Sequence, residues 1–100
     1  MSADLPYRVV ILAPAQRVIQ RLSLKDSTRL LGPMYGLARE QFPKGAVKVT
    51  GTEFWRIRVG DLRVVYAIDV AQRLIVVQRV ARRNEATYRR IRETTDVIGG

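Results

Sequence analysis

Three arginines, Arg56, Arg58 and Arg63, lie in a segment that alternates apolar and basic residues, FWRIRVGDLRVVY from Phe54 to Tyr66. A guanidinium group is planar and always charged, and it donates two parallel hydrogen bonds to a phosphate. Alternation with a period of two predicts strands whose side chains separate onto two faces. The three arginines therefore indicate one basic face that binds a polyanion.

A two-residue turn at Gly60 and Asp61 joins the two predicted strands and sets their register. Arg58 then lies directly opposite Arg63, an arrangement of like charges that destabilises a sheet. The same register puts three apolar pairs on the other side, which we predict to be core: Val59 with Leu62, Ile57 with Val64, and Trp55 with Tyr66. The two aromatic residues could instead stack on bases, but the apolar side favours a core position.

The basic face has an alternative interpretation as an ordinary solvated surface. Most solvated strands mix charges of both signs, whereas here no acidic residue stands beside Arg56, Arg58 or Arg63. We therefore favour a site, with the Arg63 side chain off the core, so that charge reversal at Arg63 would abolish activity without unfolding the domain.

Arg82 and Tyr88 follow the last predicted strand and are further candidates. Positive charge near a tyrosine favours its ionised form, so Tyr88 could act as a base, while arginines neutralise a phosphate in the transition state. These groups suit attack by an RNA 2′-hydroxyl on its adjacent phosphate, which requires no metal or other cofactor. Alternatively, Arg82 is a solvated strand end and the Tyr88 ring packs on the sheet.

The composition limits the remaining possibilities. The 100 residues predict one domain, residues 1–100, and 18 basic against 9 acidic residues give a net charge of +9. Such a charge favours nucleic acid or an acidic protein as partner. The chain lacks cysteine and histidine, which excludes thiolate chemistry and the commonest general base. We find no membrane-spanning run and no export signal, and expect a cytoplasmic protein.

The order of predicted elements is β-α-α-β-β-β-α, an α+β domain in which a helical hairpin packs on a curved antiparallel sheet. The first predicted strand runs from Tyr7 to Leu12, and Pro14 then opens a helix with an apolar stripe at Ala15, Val18, Ile19 and Leu22. A second helix is capped by Asp26 or Ser27, is kinked or restarted at Pro33, and is ended by Pro43. A loop at Lys44 to Gly51, the hairpin, a buried strand at Leu74 to Ala81 and a helix from Asn84 to about Thr94 complete the order.

The chain resembles the RelE/ParE superfamily of toxins from type II toxin–antitoxin modules. The resemblance rests on WRIRVGDLRVVYAID, from Trp55 to Asp69, and on ARRNEATY, from Ala81 to Tyr88, which follow two predicted helices. It implies a RelE-like fold, a cognate antitoxin that wraps the toxin, and, for the RelE-like branch, an mRNA endoribonuclease that cuts in the ribosomal A site and inhibits translation.

The resemblance also implies roles for individual residues. Arg56 and Arg58 match positions where the RelE-like pattern has lysines, and Arg63 matches its transition-state arginine. Arg82 matches the arginine on the leaving-group side, and Tyr88 matches the proposed base. The remaining nucleic-acid-binding candidates are all basic: Lys44, Lys48, Arg83 and Arg89.

Two alternatives remain open from sequence. ParE-like members share the fold but inhibit DNA gyrase, and they usually lack the full set of basic residues and tyrosine. A non-catalytic RNA-binding module could use the same basic face. Replacing Tyr88 by phenylalanine would leave the effect of such a module unchanged.

Overall fold

A computed structural model describes residues 6–82, which form two helices packed on one face of a five-stranded sheet. The predicted last helix lies outside the described residues. The α+β class is confirmed. The elements are β1 (Arg8–Ile11), α1 (Ala13–Arg21), α2 (Leu24–Gly36), β2 (Val47–Lys48), β3 (Trp55–Val59), β4 (Leu62–Asp69) and β5 (Leu74–Arg82).

The sheet is mixed, not wholly antiparallel as the sequence predicted. Its strand order is β1-β5-β4-β3-β2, and β1 pairs with β5 in parallel while the other neighbours are antiparallel. A parallel pair needs a long connection, and here both helices and three strands separate the two partners. The direction of such a distant pairing leaves no local signal in the sequence.

The predicted hairpin register is confirmed. Trp55 lies opposite Tyr66, Ile57 opposite Val64, Arg58 opposite Arg63, and Val59 opposite Leu62. Gly60 has a φ of 62°, which a glycine adopts without a steric penalty. The Arg29 guanidinium of α2 lies 3.6 Å from the position where a Cβ on Gly60 would stand. The hairpin turn is thus held against the helix layer.

The second helix differs from the prediction at both ends. Its N-cap is Ser23, whose side chain accepts a 3.1 Å hydrogen bond from the Asp26 backbone N–H, so Asp26 lies within the first turn. The helix continues through Pro33 and ends at Gly36, well before Pro43. A serine cap with an acidic residue in the first turn satisfies exposed N–H groups and complements the helix dipole. None of the helices within residues 6–82 is long and apolar enough to cross a bilayer.

The main core lies between the helices and one face of the sheet. The predicted stripe of α1 packs here, with Ala15 fully buried. Tyr66 is fully buried and donates a 2.7 Å hydrogen bond to the Gln41 carbonyl, and burial raises its pKa to about 12. The Trp55 ring packs against this core and makes an edge contact with Phe42 at 4.6 Å between ring centroids. The core positions predicted for Trp55 and Tyr66 are confirmed.

Candidate nucleic-acid interface

The sheet face opposite the helices carries arginines in two rows that cross β3, β4 and β5. In the first row, Arg58, Arg63 and Ala81 lie side by side. In the second row, Val65 has Arg56 on one side and Arg79 on the other. Directly paired residues point to the same face of a sheet. We call this surface, with Arg56, Arg58, Arg63 and Arg79, the arginine face.

Arg79 is the member of this face that sequence reasoning missed. The pairing of β4 with β5 is irregular between Val65 and Tyr66, which lie opposite Arg79 and Val77, so Gln78 is an extra residue in β5. A bulge of this kind shifts the alternation of the strand by one residue. The signal in the sequence is the polar pair Gln78 and Arg79 inside the otherwise apolar run Leu74 to Ala81, which the sequence predicts to be a buried strand.

The arginines of this face differ in their exposure. Arg58 is exposed and Arg56 is half-buried, but Arg63 is only 9% exposed. The Arg63 side chain therefore lies on the face opposite the main core, as expected, but it is buried there, so that charge reversal at Arg63 would also disturb the packing. β4 lies in the centre of the sheet between β3 and β5, so side chains of both neighbouring strands flank Arg63 and shield it from solvent.

A small apolar cluster forms the floor of the arginine face. It consists of buried Val49 and Val65 with the half-buried Phe54 and Ala81 packed against them. Phe54, unlike Trp55, is the aromatic residue on this side of the sheet. Apolar and aromatic surface next to guanidinium groups is the combination on which unstacked bases and a phosphate backbone bind together.

A pocket of about 560 Å³ adjoins the arginine face at the outer edge of β3. The short strand β2 pairs with Trp55 and Arg56 of β3. The next residues of β3, Ile57 and Arg58, lie beyond the end of β2 and line the pocket. Lys44 contributes to the pocket wall, whereas the exposed Lys48 lies on β2 itself. The pocket is lined by Pro33, Gly36, Glu40, Pro43, Lys44, Gly45, Val47, Arg56, Ile57 and Arg58. It is large enough for a nucleotide-sized group.

Arg82 lies on the other face of the sheet, at the end of β5. Its register partner is the core residue Leu62, and its guanidinium makes 2.9 Å ion pairs with Asp26 of α2 and Asp61 of the hairpin turn. The hydrogen bond from Arg82 lowers the pKa of Asp26, and the same bond raises the pKa of Arg82. We call these three residues the acid clamp.

The structure thus brings Arg56, Arg58 and Arg63 together, as predicted, and separates Arg82 from them by the thickness of the sheet. The other predicted residues, Arg83, Tyr88 and Arg89, lie outside the described residues. Within residues 6–82 no group of three or more acidic, histidine or cysteine side chains is placed to hold a metal ion.

The comparisons with known proteins agree with this fold. Residues 9–87 match the family described as the ParE toxin of the type II toxin–antitoxin system parDE. A curated relative, Toxin RelE of Mycobacterium tuberculosis, is 37% identical over 91 residues, which are 89% of this chain and 93% of the relative.

Two solved structures have the same architecture. The archaeal RelE–RelB complex from Pyrococcus horikoshii matches with a TM-score of 0.71 and 27% identity, over 80% of this chain and 98% of that chain. The intact E. coli RelBE toxin–antitoxin complex matches with a TM-score of 0.69 and 15% identity, over 79% of this chain and 99% of that chain. The match over residues 9–87 and the 37% identical relative show that this chain belongs to the RelE/ParE superfamily and is a RelE-like toxin of a type II toxin–antitoxin system.

Proposed function

We propose that this toxin is a ribosome-dependent mRNA endoribonuclease that cuts in the A site and thereby inhibits translation. The observation that carries the proposal is the arginine face, where Arg56, Arg58 and Arg63 converge beside an apolar floor. Several guanidinium groups on one surface suit the backbone of RNA, which carries one negative charge for each nucleotide. The likeness to a RelE toxin supports the same activity.

In the proposed reaction, the 2′-oxygen of one nucleotide attacks the adjacent phosphorus and the bond from phosphorus to the 5′-oxygen of the next nucleotide breaks. The products are a 2′,3′-cyclic phosphate and a 5′-hydroxyl. Tyr88 takes the proton from the 2′-hydroxyl, and the leaving 5′-oxygen gains a proton from water. Arg63 stabilises the charge that grows on the phosphate, while Arg56 and Arg58 hold the backbone. No step in this scheme requires a metal.

Arg82 has a conditional role in this scheme. Its place on the leaving-group side, implied by the resemblance, requires it to exchange its carboxylate partners for the substrate and to swing round the end of β5 towards the arginine face. The Arg82 and Asp61 side chains are 50% and 62% exposed, so water already screens this pair. Exposed ion pairs contribute little to stability, and an RNA phosphate can replace such a partner. Lys44, Lys48, Arg83 and Arg89 would add attraction for the RNA and the ribosome.

We further propose a RelB-type antitoxin as the partner of this chain in the cytoplasm. Both solved relatives described above are toxins in complex with RelB. Co-expression of the toxin with a RelB-type antitoxin from the same genome, followed by purification through a tag on one partner, tests this. A toxin that purifies alone under these conditions contradicts it.

The test of the activity is primer extension on an mRNA bound to ribosomes with a vacant A site, with the same mRNA free in solution as control. We expect cleavage only on ribosomes. Arg58→Glu should abolish it, because Arg58 is exposed on the arginine face, whereas Arg17→Glu, an exposed position on α1, should not. A folded toxin that stops growth but leaves the mRNA intact would contradict the proposal and direct the search to DNA gyrase, through supercoiling assays.

A further inference from the structure

Two arginines of β5, Arg79 and Arg82, lie three residues apart and have opposite surroundings. Arg82 is on the helix side of the sheet and bonds two carboxylates. Arg79 is on the arginine face, opposite Val65, because the extra residue Gln78 shifts the alternation of the strand. Without this extra residue, Arg79 would share a side with the core residues Ile75 and Val77.

Within residues 6–82, Arg79 has no acidic partner that would explain its position. The Arg79 side chain makes no hydrogen bond or ion pair within this part of the chain, in contrast to the Arg82 side chain. The acidic residue on the same side of β4 is Asp69, four residues beyond Val65, and its carboxylate accepts two hydrogen bonds from Gln72. Arg79 is half-buried beside Val65 and Ala81, so its aliphatic stem packs on the apolar floor and its charge remains available.

The position of Arg79 also fits the geometry of the face. Neighbouring strands are about 4.8 Å apart, so the Cα atoms of Arg56 and Arg79 lie roughly 10 Å apart on either side of Val65. Two side chains of this length can approach one RNA backbone from both sides. Arg56 and Arg79 of the second row would then contact the RNA backbone as a pair, next to the pair of Arg58 and Arg63 in the first row.

We propose that Arg79 is a phosphate-binding residue for single-stranded RNA, which extends the substrate site of this toxin onto β5. The proposal deepens the proposed function and rests on it. A cation that contacts one phosphate releases about 0.7 of a counterion from a single strand, and this contribution appears in the salt dependence of binding. The bulge at Gln78 is, on this view, the feature that gives the face its fourth arginine.

The test is fluorescence anisotropy with a labelled single-stranded oligouridylate at several salt concentrations, with the full chain. Arg79→Gln should weaken binding roughly tenfold at low salt, as expected for one charged hydrogen bond. It should also make the negative slope of log K against log salt shallower by about 0.7. Arg79→Lys should keep the slope. The matched control is Arg17→Gln, which removes the same charge from the exposed side of α1 and should bind as the unchanged protein does.

Urea unfolding of each variant shows whether a change in binding reflects folding. RNA binding by the unchanged protein, with equal affinities and slopes for Arg79→Gln and Arg17→Gln, would overturn the assignment of Arg79 and leave the proposed function standing. If the unchanged protein itself fails to bind the oligouridylate, the assignment of Arg79 as a phosphate-binding residue for free single-stranded RNA falls, while the proposed ribosome-dependent cleavage is decided separately by the primer extension assay.

Discussion

Arg58 lies directly opposite Arg63 across the hairpin, with Arg58 exposed and Arg63 buried. Like charges in this position oppose pairing of the strands. The exposed member is therefore the better position for testing function, because a change there alters the face without disturbing the packing. Arg58→Glu replaces the repulsion across the strands by an attraction between Glu and Arg63.

We expect Arg58→Glu to raise the free energy of unfolding by about 0.5 kcal/mol at low salt and to abolish growth inhibition. Urea unfolding at low and high salt, alongside growth after induction, measures both effects. The gain should diminish at high salt, because ions screen the new pair. A variant that is less stable and still toxic would show that this like-charge pair neither opposes folding nor serves function.

Gly60 and Gly36 provide a pair of opposite substitutions. Gly60→Ala forces a side chain into a left-handed conformation and should cost about 1–2 kcal/mol. Gly60→Asn should be tolerated, since asparagine accepts this conformation in hairpin turns. Gly36→Ala lies at the end of α2 with nothing within 4 Å of the added Cβ, and should stabilise by up to about 1 kcal/mol. Thermal unfolding in one buffer ranks the three variants, and a stable Gly60→Ala would contradict the turn described here.

Tyr66 gives the fold a dependence on alkaline pH. Its pKa is raised from 10.0 to about 12 by burial, so below pH 10 the phenol is neutral in both the folded and the unfolded chain. Between pH 10 and 12 the unfolded chain loses the proton while the folded chain keeps it, and the contribution to stability is lost as the pH rises.

Tyr66→Phe should therefore lower the free energy of unfolding by about 1 kcal/mol at neutral pH, through loss of the bond to the Gln41 carbonyl. It should also flatten the decline above pH 10. Urea midpoints at pH 8, 9.5 and 11 compare the two proteins. Parallel curves across this range would mean that the phenol titrates alike in both states.

The ion pairs of the acid clamp make the stability of the fold depend on acidic pH, as Tyr66 does at alkaline pH. The pKa of Asp26 is lowered by its bond from Arg82, so its contribution is present above the unfolded value of 3.8 and is lost as the pH falls through the lower folded value. Asp26→Asn should reduce stability more than Asp61→Asn, because the Asp26 side chain is 20% exposed and that of Asp61 is 62% exposed. The difference in urea midpoint between the two variants should be full at pH 6 and should shrink as the pH falls below 3.8.

The hairpin could be predicted from sequence because two local facts determine it. The turn has two residues and the side-chain period of a strand is two, so Trp55 and Tyr66 had to share a face. The stripe of α1 follows from the helical period in the same way. The capping residue of α2 was misplaced, because Ser23, Asp26 and Ser27 all have side chains that cap helices.

The position of Arg79 could not be derived by the same arithmetic. Counting by twos along β5 fails at Gln78, and only the pairing with β4 reveals the extra residue. The surroundings of Arg82 depend likewise on Asp26, 56 residues earlier in the chain. Contacts of this length are made by the assembled fold, and no local pattern encodes them.

The parallel pairing of β1 with β5 also bears on the order in which the strands of the sheet pair during folding. Arg8 and Leu74 are register partners 66 residues apart, so β1 leaves the ribosome well before the strand with which it pairs. The strands of the arginine face, in contrast, join neighbours along the chain and close short loops at low entropic cost. We therefore expect the first strand to dock last, so that the sheet of this toxin is complete only after β5 has been synthesised.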